Sequence, residues 1–197
     1  MEYSFQITYF CTVDKREQII LAAMKLLCEK GVQATPMSAI AKAANTGMGT
    51  IYNYFPTKEA LINGIYLHIK TAEILVMDTA LDETKSLKLR FFHFYTAFVH
   101  YYLKYPYSFA FMDQFHSSPV ILEETREAGK ANFLPVIELL TDGQKQGLIK
   151  EMELESLLQF LSGTINTFVR WLQTKPAKQR EVLLKQQLRM VWDAIKE

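Results

Sequence analysis

The sequence predicts an all-α protein, with a head of three short helices near its start joined through a shared helix to a larger helical domain. Three observations predict it. Apolar residues recur at intervals of three and four along most of the chain, the spacing of amphipathic helices. Gly31, Asn45-Thr46-Gly47, Pro56, Asp82-Glu83-Thr84, Pro106 and Lys175-Pro176 fall between those stripes, where helices stop and turns form. One stretch, Thr35 to Leu61, reads TPMSAIAKAANTGMGTIYNYFPTKEAL, a helix, a tight turn and a second helix.

In chain order, residues 1–13 stand apart. MEYSFQITYFCTV alternates Tyr3, Phe5, Ile7, Tyr9, Cys11 and Val13 against mostly polar neighbours, a strand-like period. It lacks the cationic start and continuous apolar core of a signal peptide. Two readings stand side by side: translation that begins at Val13, or a genuine arm that touches DNA or a neighbour. From Asp14 to Lys30 an amphipathic helix presents Ile19, Ile20, Ala23, Met24 and Leu27 on one side and ends at Gly31.

Thr35 suits an N-cap and Pro36 a first helical position, with Met37, Ile40, Ala41 and Ala44 on one face. Asn45 and Gly47 tolerate left-handed backbone, so a turn follows. The second helix runs from about Met48 to Phe55, with Ile51 and Phe55 turned inward at i and i+4. Pro56 stops it and Thr57 caps a third. Helix, short turn, helix is the pattern in which the second helix enters the DNA major groove. Thr50, Tyr52 and Asn53 then face base edges, whereas Thr35, Tyr54 and Lys58 suit phosphates. Thr46, Gly47 and Met48, at the turn and helix start, complete the predicted DNA face.

GMGTIYNYFPTKEAL resembles the DNA-binding signature of the TetR family of bacterial repressors: glycine, threonine, aliphatic, tyrosine, any, tyrosine, phenylalanine, then a lysine-glutamate pair. Residues 18–44, QIILAAMKLLCEKGVQATPMSAIAKAA, resemble the family's first two helices. The likeness covers roughly residues 14 to 66. It departs from the pattern at Asn45-Thr46, where the family usually has Gly-Val. It departs again at Gly47-Met48, where the family often has Ser or Ala followed by a Lys that is a DNA contact. The resemblance implies a helix-turn-helix domain at 14–57 and a helical regulatory, ligand-binding and dimerisation domain at 58–197, after the 1–13 extension.

A helix from Thr57 to about Thr79 carries Leu61, Ile62, Ile65, Tyr66, Ile69 and Ala72 and links the two domains without a flexible linker. An aromatic helix spans about Ser86 to Tyr105, and Pro106 ends it before a short helix over Tyr107–His116. Ser118-Pro119 is expected to start a helix running to about Gln146 with a kink at Pro135, and Gly143 and Gly147 to mark its end. Leu154, Leu157, Leu158, Leu161, Ile165, Phe168 and Leu172 make one near-heptad stripe. Leu184, Leu188, Val191, Trp192 and Ile195 make another. The resemblance implies that these last two helices pair with their symmetry mates, with Leu161, Ile165, Phe168, Leu184 and Leu188 at the interface.

Twelve of the 25 aromatic residues lie between Phe91 and Phe115, and several are tyrosines whose hydroxyls need partners if buried. A ring-lined cavity with few polar groups suits a small molecule. The family's regulatory domain implies such a site, here with Phe94, Phe98, Tyr102, Phe111 and Phe115 as candidates and an apolar or aromatic effector. His93, His100, His116 and Asp113 lack the i, i+3 or i+4 spacing of helical metal ligands, so no metal and no cofactor is expected. There is no nucleophile-base set, phosphate loop or carboxylate pair, which argues against an enzyme.

The net charge of +1, with six Lys/Arg and five Asp/Glu in the first 60 residues, leaves little non-specific attraction to DNA. Binding must then lean on specific contacts and on dimerisation. Two cysteines give neither a disulfide framework nor a metal site, which fits a reducing cytosol, and the resemblance implies a cytoplasmic bacterial protein, nucleoid-associated when bound. No membrane span is expected. The expected function is a homodimeric regulator of double-stranded DNA, most simply a repressor that binds a pseudo-palindromic operator and is released by a small molecule. The competing reading is a binding protein of the same fold with weak or lost DNA recognition.

Overall fold

The computed structural model describes residues 14–78, 84–131 and 133–197. The expected strand-like segment 1–13, the expected helix end at Thr79 and most of the turn at Asp82-Glu83-Thr84 lie outside them. Among the described residues ten helices follow in order. The head is α1 (Lys15–Lys30), α2 (Met37–Ala43) and α3 (Met48–Tyr54), and α4 (Lys58–Asp78) leads out of it. The remainder is α5 (Leu87–Lys104), α6 (Pro106–Phe115), α7 (Glu123–Ala131), α8 (Leu134–Lys145), α9 (Leu154–Gln173) and α10 (Ala177–Ile195).

Each stop has a local cause. Gly31 takes a φ of 78°, a left-handed conformation that favours glycine, and its amide donates to the Leu27 carbonyl at 2.9 Å. Pro106 lacks the amide that would extend α5 and instead begins α6. Ile19, Ile20, Ala23, Met24 and Leu27 of α1 are buried as the spacing predicts. Leu61, Ile62, Ile65, Tyr66 and Ile69 carry the same core through α4, which packs against α1, α5 and α7.

Two expectations fail between Ser118 and Gln146. The segment is two helices, not one with a kink, and the first begins at Glu123. Pro135 lies in the first turn of α8, where amides have no intrahelical acceptor and a proline costs nothing. Gly147 does end the segment at a φ of 63°, but Gly143 lies within α8. It is there because Ile149 presses on the helix: a Cβ at Gly143 would fall 2.5 Å from Ile149 Cδ1.

The last two helices close over α5. Phe91 lies 5.5 Å from Trp192 between ring centres, and the buried Tyr95 hydroxyl meets Thr164 Oγ1 and Gln187 Nε2, each at 3.3 Å. Leu161, Ile165, Phe168, Leu184 and Leu188 are therefore inside the protomer, none more than 7% exposed. The assignment of these five to a dimer interface is corrected: they have little surface left for a second copy. The aromatic side of α5 needed covering, and a heptad stripe has the same spacing whichever neighbour it covers. An antiparallel bridge between Ile149 and Lys196 ties the chain end to the α8–α9 loop.

Candidate nucleic-acid interface and effector cavity

The reading head is built from its inner face outward. Ile51 is fully buried and Phe55 nearly so, which fixes α3 against α1 and α2, and the Arg16 guanidinium sits 5.3 Å from the Phe55 ring centre. A Cβ at Gly64 would lie 2.7 Å from Phe55 Cε1, so α4 approaches this ring as closely as a glycine permits. The turn is tighter than its glycine suggests. Asn45, at φ 46°, is the left-handed residue, while Gly47 is extended and precedes α3. The Thr46 amide donates to the Ala41 carbonyl at 3.0 Å.

This inner packing turns one row outward. Gly47, Met48, Tyr52, Asn53 and Tyr54 are exposed, and Thr46 and Thr50 are half-buried. Thr35 is different: its side chain is fully buried and its hydroxyl donates to the Gly31 carbonyl at 2.8 Å, with Leu26 O at 3.3 Å. It staples the α1–α2 loop and is unavailable to a phosphate, because Pro36, not Thr35, caps α2. Lys58 Nζ donates to the Val32 carbonyl at 2.9 Å, which holds the same loop from the α4 side.

In the larger domain a cavity of about 90 Å³ opens among α4, α5, α6, α8 and α9. Phe94, Phe98 and Tyr102 line it, together with Met112, His116, Phe133, Val136, Leu158 and Lys70. Phe111 and Phe115, the other two predicted lining residues, do not. They are buried against each other, 4.7 Å between centres, as part of the core. Helical period placed all five rings near one another without saying which side of α6 faces the cavity.

The polar end of the cavity was not foreseen. Lys70 Nζ lies 3.0 Å from Glu73 Oε2, and the Tyr102 hydroxyl donates to Glu73 Oε1. Glu73 is 1% exposed. Burial, and then the Glu73 carboxylate, hold the Tyr102 hydroxyl well above its ordinary value of 10. His116, exposed on its outer side, stacks on Tyr66, and burial, then Lys70 and Arg126, keep its imidazole below 6.5. The signal for this cluster was in the sequence: Lys70 and Glu73 extend the buried stripe of Ile62, Tyr66 and Ile69, where a charge has to find a partner.

Two helices carry the cavity to the head. Lys70 belongs to α4, Met112 lies on α6 and His116 caps its C-terminal end, and α6 packs against α1. There Tyr107 donates to Glu29 Oε1 at 2.7 Å. Asn63 binds α4 to the α6–α7 loop: its Nδ2 donates to the Val120 carbonyl at 2.9 Å, and its Oδ1 accepts from the Leu122 amide at 2.9 Å. His100 is engaged with Glu181, and Asp113 with Arg170. Among the described residues no three His, Cys, Asp or Glu side chains gather to hold a metal.

A helix-turn-helix head on an all-helical body defines a class, the helix-turn-helix transcriptional regulators. Residues 19–65 match the family described as bacterial regulatory proteins, tetR family, and residues 71–197 match the tetracyclin repressor-like, C-terminal domain. The chain belongs to the TetR family and is a transcriptional regulator, not an enzyme. It is 28% identical over 167 residues to the fatty acid metabolism regulator protein of Bacillus subtilis, covering 80% of this chain and 83% of that one. It is 25% identical over 201 residues to the HTH-type transcriptional repressor KstR2 of Rhodococcus jostii, covering 92% and 91%. Similarity to the uncharacterized HTH-type regulator YhgD of Bacillus subtilis is higher, 42% over 55 residues, but spans only 28% of this chain and 29% of that relative. A putative tetR family regulator from Shewanella sp. PV-4 shares the fold, with a TM-score of 0.86 at 22% identity over 93% of this chain and 99% of that one.

Proposed function

We propose that the protein is a homodimeric, ligand-responsive repressor whose α3 reads a pseudo-palindromic operator. The observation that carries this reading is the division of labour on α3: an inner face locked by Ile51 and Phe55, and an outer row of Thr50, Tyr52, Asn53 and Tyr54. Donors and aromatic edges held on a rigid helix suit groove and backbone contacts. Thr50, Tyr52 and Asn53 are assigned to bases. Tyr54 and Lys58 go to phosphates, and Thr46, Gly47 and Met48 to the close approach at the helix start.

Dimerisation is assigned to what α9 and α10 leave outside. Phe160 (42% exposed), Trp171 (44%), Val182 (59%) and Met190 (61%) remain open, and Gly163 and Thr167 flank the groove between the two helices. The effector is placed in the cavity bounded by Phe94, Phe98 and Tyr102. Its apolar walls, and a relative named for fatty acid metabolism, support an apolar molecule.

Selection of DNA from a random pool by the purified protein tests the reading. A two-fold symmetric site should emerge, with half-sites one helical turn or a multiple apart. Tyr52→Ala or Asn53→Ala should weaken that site by about 1–3 kcal/mol, and Lys58→Ala should lower the salt slope by about one. Equal affinity for every sequence would leave the competing reading, a binding protein without DNA recognition.

A further inference from the structure

The charged end of the cavity specifies the effector more narrowly than its apolar walls. We propose that the effector is a compact apolar monocarboxylate whose carboxylate is read by Lys70, while its body lies among Phe94, Phe98 and Leu158. The inference rests on the assignment of this cavity as the effector site.

The argument is an inventory of donors and acceptors. An ammonium carries three N–H donors. Among the described residues one oxygen, Glu73 Oε2, meets Lys70 Nζ, which also lies over the faces of Phe133 at 4.5 Å and Tyr66 at 5.8 Å. Ring faces are weaker partners for an ammonium than a carboxylate is. Glu73 is not short of donors: one oxygen takes Lys70 and the other the Tyr102 hydroxyl. The cluster therefore lacks an acceptor rather than a donor, and a cationic ligand would find the one buried carboxylate already occupied.

The surrounding charge agrees. Arg126 lies close to His116 and donates to the carbonyls of His116 and Ser118. Its acidic neighbour Glu123 is 3.7 Å away but 76% exposed at its side chain and thus largely solvated. An anion entering beside Lys70 meets that ammonium and one buried carboxylate that is already paired, while Arg126, outside the cavity lining, adds positive charge near His116. Because Lys70 and Glu73 both sit on α4, a ligand carboxylate that shares Lys70 acts directly on the helix that enters the head.

The test uses matched pairs that keep the apolar body and replace the carboxylate with a neutral amide: octanoate against octanamide, and 4-ethylbenzoate against 4-ethylbenzamide. Affinity is measured by calorimetry on the full chain near neutral pH. The carboxylates should bind about tenfold more tightly than their amides, the difference between a charged and a neutral hydrogen bond. Lys70→Arg should keep the preference. Lys70→Met combined with Glu73→Gln, which leaves no unpaired buried charge and keeps an acceptor for Tyr102, should abolish it. Amides that bind wild-type protein as tightly as the acids, or a preference that survives in the double variant, would overturn the inference and leave the cavity as the effector site. If none of the four compounds binds, or if all bind unchanged to Leu158→Trp, the cavity assignment falls and the inference with it.

Discussion

Asn63→Ala is the sharpest probe of how α4, the helix that leads out of the head, is held to the larger domain. Asn63 is 6% exposed, and its amide is the clasp between α4 and the segment that leads from α6 to α7. Truncation leaves the Val120 carbonyl and the Leu122 amide without their partner. A buried polar group stripped of its bond costs about 1–3 kcal/mol. At about 1 kcal/mol for each group, the pair costs about 2 kcal/mol. Urea unfolding should show that loss as a lower midpoint at unchanged slope. Asn63→Asp should be worse at neutral pH: a carboxylate still accepts from Leu122 but faces the Val120 and Glu59 carbonyls, to which Nδ2 donated at 2.9 and 2.8 Å. Acid that protonates the new carboxyl should bring the two variants together. Stability of Asn63→Ala within about 0.5 kcal/mol of wild type, the range of an ordinary surface change, would refute the clasp.

Three further outcomes are expected. Gly64→Ala should cost about 1–3 kcal/mol through overpacking and weaken operator binding, since its methyl would displace the Phe55 ring that seats α3; unchanged stability would show that the ring has room to move. Phe160→Glu with Met190→Glu should yield a folded monomer by sedimentation with poor operator binding, whereas Leu161→Glu should unfold the protomer, as an unpaired charge in its core demands. Stability should fall as pH drops below 6.5, because burial, the leading cause for both, holds the His68 and His116 imidazoles below that value. The unfolded chain then takes up protons that the folded one resists, and the loss levels off only below the folded-state values. His68→Gln with His116→Gln should flatten the slope between pH 6.5 and about 5, where few carboxylates titrate.

What the sequence made legible follows from how local each determinant is. Ile51, Phe55, Gly31 and Pro106 act within one or two turns of their own helix, and each stands where its spacing or backbone chemistry puts it. Pro135 misled because a proline reads alike as a kink in a long helix and as the opening of a new one. The distinction depended on residues 116–122 folding into a turn, which Asn63 and Arg126 hold from elsewhere in the chain. Thr35 misled in a similar way. An N-cap signature fits its position, yet its hydroxyl turns back to the end of α1, and Pro36 takes the cap.

The two wrongly placed stripes share a deeper cause. Periodicity reports that a helix face is covered and is silent on what covers it. For α9 and α10 the cover is α5, whose Phe91, Tyr95 and Phe98 need it, so Leu161 and Leu188 belong to the protomer, and any surface for a second copy is drawn from the neighbouring face. For α6 the same ambiguity put Phe111 and Phe115 in the cavity when Met112 and His116 line it. Charges on a buried face are less ambiguous, because an apolar neighbour cannot satisfy them. Lys70 and Glu73 within the Ile62–Tyr66–Ile69 stripe therefore had to mark either a polar partner or a ligand: the structure supplies Tyr102 for Glu73, and among the described residues Lys70 faces the cavity with a single carboxylate oxygen.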